Sequence, residues 1–190
     1  MQWLAYQFLK LRGWTFVGQL PDVPKMIIIG APHTTNWDFI LFLGALHYLK
    51  IHASYIAKHT LFRWPFNYFF NALGGIPVDR SKPGGIINQV AEAFYAADNM
   101  VLVVAPEGTR SAAPRWKSGF LRIAEAAAVP IVFAGVHFPR KRVTIGPSIQ
   151  YRGDFVGFMD QAREFFADKE GLKTGHKGPV VIVEEQRNSS

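Results

Sequence analysis

His33 and Asp38 stand five positions apart in the run His33-Thr34-Thr35-Asn36-Trp37-Asp38, directly after the apolar stretch 26–29. An imidazole that takes a proton from a hydroxyl near neutral pH needs one ring nitrogen free and the other held by an acceptor, which fixes its tautomer and orientation. His33 is therefore a candidate general base and Asp38 the candidate carboxylate that orients it. The hexapeptide by itself also fits a surface histidine beside a helix-capping aspartate, because such pairs are defined by geometry and not by spacing.

Composition narrows the remaining chemistry. The chain has 190 residues and no cysteine, so it can bury a core without staples but offers no thiolate nucleophile, cysteine zinc site or disulfide framework. The other histidines, His47, His52, His59, His137 and His176, lack the paired spacing of a metal site. No metal is expected, and each of the five reads as structural or solvated, with His59 after Lys58 also a candidate for contact with an anionic donor. No Walker sequence, Gly-x-Gly-x-x-Gly or Gly-x-Ser-x-Gly occurs, which speaks against nucleotide hydrolysis, dinucleotide redox chemistry and a serine acyl-enzyme.

With 21 Lys and Arg against 14 Asp and Glu the formal charge is +7, which favours an anionic partner. Five Trp and sixteen Phe, many near basic side chains in the first seventy residues, turn that expectation towards a membrane surface. A nucleic-acid binder would set stacking aromatics into a basic face, whereas here the aromatics lie mostly in apolar surroundings, so no nucleic acid is expected. No apolar run approaches the roughly 20 residues that span a bilayer, and Lys10 and Arg12 interrupt any signal-peptide core. The expectation is a cytoplasmic protein, peripheral on the inner face of the cell membrane.

The elements that must position His33 follow from hydropathy patterns. Residues 1–17 carry Trp3, Leu4, Phe8, Leu11 and Trp14 around Lys10 and Arg12, a pattern for an amphipathic helix lying in the headgroup boundary or docked on the core. Buried strands are expected at 26–29, 54–57, 100–104, 129–136 and 143–149, with helices at 38–50, 62–73, 86–97, 120–128 and 160–169. The tail from Gly171 mixes glycine, lysine and polar residues and is expected to fray at 188–190. The alternation predicts an α/β fold: one layered domain with a mostly parallel or mixed sheet flanked by helices, preceded by the N-terminal amphipathic helix. Residues 1–20 are assigned to that helix and 21–190 to the catalytic domain, with His33 in a strand-to-helix turn where open sheets place ligands.

Four segments together resemble the four sequence blocks of the glycerolipid acyltransferase family that includes lysophosphatidic acid acyltransferases. His33 and Asp38 match its first block, a histidine, four residues and an aspartate. Gly75-Ile76-Pro77-Val78-Asp79-Arg80 is similar to the second, Pro106-Glu107-Gly108-Thr109-Arg110-Ser111 to the third, and Val129-Pro130-Ile131-Val132 to the fourth. The blocks occur in the family's order over about a hundred residues, more than half the chain. Pro32 stands where many relatives have asparagine, and Phe133 where a proline is common.

The resemblance implies transfer of a fatty acyl group from an acyl-CoA or acyl carrier protein thioester to a hydroxyl of lysophosphatidic acid or a related lysophospholipid or glycerol phosphate. It needs no cofactor beyond the thioester co-substrate. His33 would deprotonate the hydroxyl with Asp38 as orienter, and the hydroxyl would attack the thioester directly. Forked guanidinium groups suit the acceptor phosphate, so Arg80 and Arg110 are its candidates, with Lys82 and Lys117 weaker ones. Glu107 would orient an arginine or a backbone turn, and Gly108 would let the chain pass close to ligand. The plainer alternative pairs Arg80 with Asp79 and Arg110 with Glu107 as local ion pairs. A thioesterase, an acyltransferase with another lipid acceptor, and a non-catalytic peripheral membrane protein remain as other readings, and oligomeric state is not readable.

Overall fold

The computed structural model describes residues 1–64, 66–68, 74–79 and 85–188. Its centre is a seven-stranded mixed sheet in the order β1-β7-β6-β2-β5-β3-β4. The strands are β1 (Thr15–Val17), β2 (Lys25–Ala31), β3 (Ala53–Lys58), β4 (Gly75–Val78), β5 (Met100–Val104), β6 (Ile131–His137) and β7 (Arg142–Ile149). All neighbours pair in parallel except β6 and β7, which form an antiparallel hairpin. The helices are α1 (Gln2–Leu11), α2 (Trp37–Leu49), α3 (Gly85–Ala96), α4 (Gly119–Ala127), α5 (Phe155–Phe166) and α6 (Val183–Asn188).

Central parallel strands are buried on both faces, and their alternation divides two cores. Ile27, Ile29 and Ala31 of β2 join Leu102 and Phe133 in packing under α3, α4 and α5. Met26 and Ile28 face the other way with Val101, Val132 and Ile145, against Leu49 and Ile51 at the end of α2. The chain leaves β2 through α2 towards β3 on one side, and leaves β5 through α4 towards β6 on the other. The loops after β2 and β5 thus diverge, opening the switch-point crevice in which such sheets bind ligands.

Three elements differ from expectation, one of them the helix α6 in the tail, where none was expected. The N-terminal helix stops at Leu11, and Thr15–Val17 pairs with Arg142–Thr144 as the edge strand β1. Gly13, at φ +81°, breaks the helix, and so short a strand is selected by its tertiary partner and not by its own pattern. The helix expected at 160–169 begins instead at Phe155, because Asp154 caps it by accepting the Gly157 N–H at 2.9 Å. Part of the helix expected at 62–73, and the last two residues of the tail, lie outside the described residues.

α1 packs across α2, burying Leu9 against the close approach at Gly44, where an added Cβ would stand 2.5 Å from Leu9 Cδ1. Much of the remaining apolar surface faces outwards: Met1, Trp3, Leu4, Phe8 and Leu11 are exposed, as are Trp37 and Phe39 at the start of α2. No described helix is long and apolar enough to cross a membrane.

Candidate active site

The turn 32–36 carries His33 out of β2 and into α2. Asp38, in the first turn of α2, draws this turn around one carboxylate oxygen. Its Oδ2 accepts the Thr34 N–H at 2.7 Å and the Thr35 N–H at 2.9 Å, and lies 3.0 Å from His33 Nδ1. Burial alone would raise the Asp38 carboxyl, but the His33 hydrogen bond and the two backbone N–H groups outweigh it and hold the group below its ordinary value. An ionised acceptor at Nδ1 selects the tautomer with the proton there, which makes Nε2 the ring nitrogen that carries the lone pair.

Glu107 and Arg110 reach the same imidazole from the loop after β5. Glu107 is buried, and its Oε2 accepts the His33 backbone N–H at 2.7 Å, so its role is to hold the turn. The guanidinium of Arg110 turns to His33, its Nε 3.4 Å from His33 Nε2. The local Arg110–Glu107 ion pair is therefore not formed: the two residues bind different parts of His33. Gly108, at φ +65°, allows the sharp turn between them, and the stem of Lys117 covers it so closely that a Cβ would lie 2.6 Å from Nζ. Arg80 and Lys82 lie outside the described residues. His59 stands 3.8 Å from Asp79.

Residues 170–182 run across both loops like a strap, a part that no motif or periodicity in the tail announces. Gly171 touches Thr34, and a Cβ there would stand 2.5 Å from Thr34 Oγ1. His176 Nδ1 lies 2.8 Å from the Arg110 carbonyl oxygen, the Trp116 N–H donates to the Val181 carbonyl at 2.8 Å, and Gly178 lies flat on Ala113. Lys177 donates to the Phe166 and Ala167 carbonyls at the end of α5, and burial lowers its ammonium despite nearby carboxylates. Because an added Cβ at Gly178 would meet the Ala113 carbonyl oxygen at 2.1 Å, Gly178→Ala is expected to cost about 1–3 kcal/mol. A thermal melt checks it, each kcal/mol lowering Tm by about 2–4 °C in a chain of this size.

An apolar cavity of about 330 Å³ opens beside His33, Asp38 and Arg110 and runs between α2 and the sheet. Ile28, Gly30, Val103 and Ala134 form its floor, Phe42, Ala45 and Leu46 its roof, and Leu49 and Ile51 its far end. From Asp38 to Leu49 the helix rises about 16 Å at 1.5 Å per residue. The wall of the cavity is aliphatic and aromatic, while its mouth holds the His33 imidazole, the Asp38 carboxylate and the Arg110 guanidinium. No group of three metal-ligating side chains occurs among the described residues.

Burial pushes the Glu107 carboxyl up to about 7, against the His33 N–H hydrogen bond, which pulls it down. Unfolded, it would titrate near 4.5. Between those values the folded chain holds a proton that the unfolded chain has lost. The stability this group contributes is therefore complete below pH ~4.5 and lost as pH rises through ~7, a loss of about 3 kcal/mol. Glu107→Gln is expected to flatten that decline, measured by denaturant unfolding at pH 5 and pH 8. Parallel curves for the two proteins would refute the assignment.

The arrangement can deprotonate a hydroxyl held beside an anionic group while an aliphatic chain lies in the cavity. A sequence model of the family described as Acyltransferase matches residues 16–136, a span that includes His33, Asp38, Glu107 and Arg110. In fold, the chain is similar to the 1-acyl-sn-glycerophosphate (LPA) acyltransferase PlsC from Thermotoga maritima. The TM-score is 0.59 over 86% of this chain and 72% of that one, at 18% sequence identity. No curated protein matches the chain in sequence.

Proposed function

This chain belongs to the acyltransferase family, and on that premise we propose that it transfers a fatty acyl group from an acyl-CoA or acyl carrier protein thioester to a hydroxyl of lysophosphatidic acid or a related glycerol phosphate. The observation that carries this reading is the placement of the His33–Asp38 pair at the mouth of an apolar cavity, with Arg110 beside it.

The acyl chain lies in the cavity, which brings the thioester carbonyl to the mouth. An alkyl chain advances about 1.3 Å per carbon, from C–C bonds of about 1.5 Å near the tetrahedral angle, so a 16 Å path along α2 takes about twelve carbons. His33 Nε2 takes the proton of the acceptor hydroxyl as its oxygen attacks the carbonyl, and Asp38 stabilises the imidazolium. The C–S bond then breaks and His33 returns the proton to the leaving thiolate, giving an ester and a free thiol. Arg110 holds the acceptor phosphate with a planar pair of donors. No enzyme-bound acyl group forms.

The exposed apolar side of α1 with Trp37 and Phe39, together with the formal charge of +7, supports a peripheral position on an anionic membrane, where the lipid acceptor resides. Flotation with anionic vesicles tests that part: Trp3→Glu combined with Leu4→Glu is expected to abolish co-migration. The phosphate role is tested by comparing lysophosphatidic acid with monoacylglycerol as acceptor. The phosphate-bearing lipid is expected to have a KM lower by about ten- to hundredfold, the worth of one charge-assisted contact, and equal values would remove phosphate from the recognition.

A further inference from the structure

We propose that Arg110 is a displaceable cap on the base that makes the enzyme refuse water, and that His176 is the positioning residue that keeps the cap in place. This rests on the reading of His33 as the base. Asp38 occupies His33 Nδ1, so Nε2 is the one ring nitrogen able to accept a proton. Among the described residues its hydrogen-bond partner is Arg110 Nε, at 3.4 Å. A guanidinium is a donor only and stays charged at any working pH, so while it faces Nε2 it shares the lone pair that a water molecule would need.

Arg110 is exposed and lies on a loop, yet its main chain is fixed, because its carbonyl oxygen lies 2.8 Å from His176 Nδ1. His176 in turn belongs to the strap that also presses Gly171 on Thr34 and Gly178 on Ala113. The backbone is thus anchored while the guanidinium remains free to turn. An acceptor phosphate offers it two charged oxygens in the fork geometry that it prefers over a single imidazole nitrogen. The same phosphate that positions the acceptor hydroxyl therefore uncaps the base beside it. A phosphate-free molecule, water included, has no such pull.

The two competing reactions differ only in the attacking oxygen. With the acceptor, the hydroxyl proton passes to His33 Nε2, a C–O bond replaces the C–S bond, and the proton goes to the thiolate, leaving ester and thiol. With water the same steps give a fatty acid and thiol, and the acid then ionises. Removing the cap should leave hydrolysis easier while phosphate binding weakens.

The test counts fatty acid and ester by mass spectrometry in the wild type, Arg110→Ala, His176→Ala and His176→Asn, with acyl-CoA and lysophosphatidic acid. The ratio of hydrolysis to transfer does not depend on how much of a sample is folded. In Arg110→Ala lost phosphate binding alone would raise it, so for that variant the cap is read from acceptor-free hydrolysis per folded protein, expected to rise by about tenfold or more, the worth of one charged hydrogen bond. His176→Ala should raise the ratio along with KM for the acceptor, with Asn, whose amide can donate to the same carbonyl, restoring both. Acceptor-free hydrolysis unchanged in Arg110→Ala overturns the cap, and a ratio unchanged in His176→Ala overturns the positioning role.

A second readout is independent of the acyl-transfer reading. Diethyl pyrocarbonate should modify His33 faster in Arg110→Ala and in His176→Ala than in the wild type, relative to exposed His52 in the same sample. Equal relative rates overturn the cap even if transfer is observed. Faster rates without any ester in the wild type would keep the cap and remove the acyltransfer reading.

Discussion

His33→Ala is expected to lower acyl transfer by about a thousandfold, within the hundred- to ten-thousandfold range typical of a positioned general base. The loss should fall on kcat, because the cavity and Arg110, proposed to hold the two substrates, are untouched. Folding should be preserved: His33 is only partly buried, and the hydrogen bond that ties its turn to Glu107 comes from its backbone N–H. Asp38→Asn should cost less but act through the same step. Three donors converge on Asp38 Oδ2, and a neutral amide oxygen holds them more weakly than a carboxylate. A loss of about ten- to hundredfold is expected from weakening one charged hydrogen bond. Steady-state kinetics on folded protein, with circular dichroism as the control, decide both. Wild-type kcat in His33→Ala would remove the base.

Gly30→Ile is expected to shift the preferred donor towards shorter acyl chains. Gly30 sits inside β2 on the cavity floor, and a Cβ built there meets no atom within 4 Å, so the added side chain enters the cavity and not the protein. Its backbone lies outside the left-handed region, and a β-branched residue suits a strand. The substitution should therefore leave stability unchanged or raise it by about 0.5–1 kcal/mol. A long acyl chain would have to displace the new side chain, at about 1–3 kcal/mol or roughly ten- to hundredfold in kcat/KM. Short donors such as butyryl-CoA should react at nearly the wild-type rate. Equal losses across donor lengths would mean that the acyl chain lies elsewhere.

The sequence exposes those parts of the site that are made locally. His33 and Asp38 lie within one turn of chain, so the sequence makes their contact a candidate that spacing alone does not decide, and the structure places their side chains 3.0 Å apart. Buried strands at 26–29 and 100–104 were legible because both faces are covered. Glu107 and Arg110 were visible as residue types, but their partner is 74 and 77 positions away, and nothing local says that one holds the main chain of His33 and the other its ring. His176, Gly171 and Gly178 carried no pattern, since their contacts are set by how the tail crosses the two loops. The cavity had one faint sign. α2 is apolar almost all round, which an ordinary surface helix is not. One side meets α1, and the other lines the cavity.

The proposal that His33 transfers an acyl group directly from thioester to acceptor is tested most directly by one reaction. Purified protein is mixed with a saturated acyl-CoA and lysophosphatidic acid, and free thiol, ester product and the mass of the protein are followed together. The expected result is one molecule of phosphatidic acid for each thiol released, with the protein mass unchanged throughout. Thiol release without ester, or an acylated protein that forms and decays ahead of the product, would contradict it.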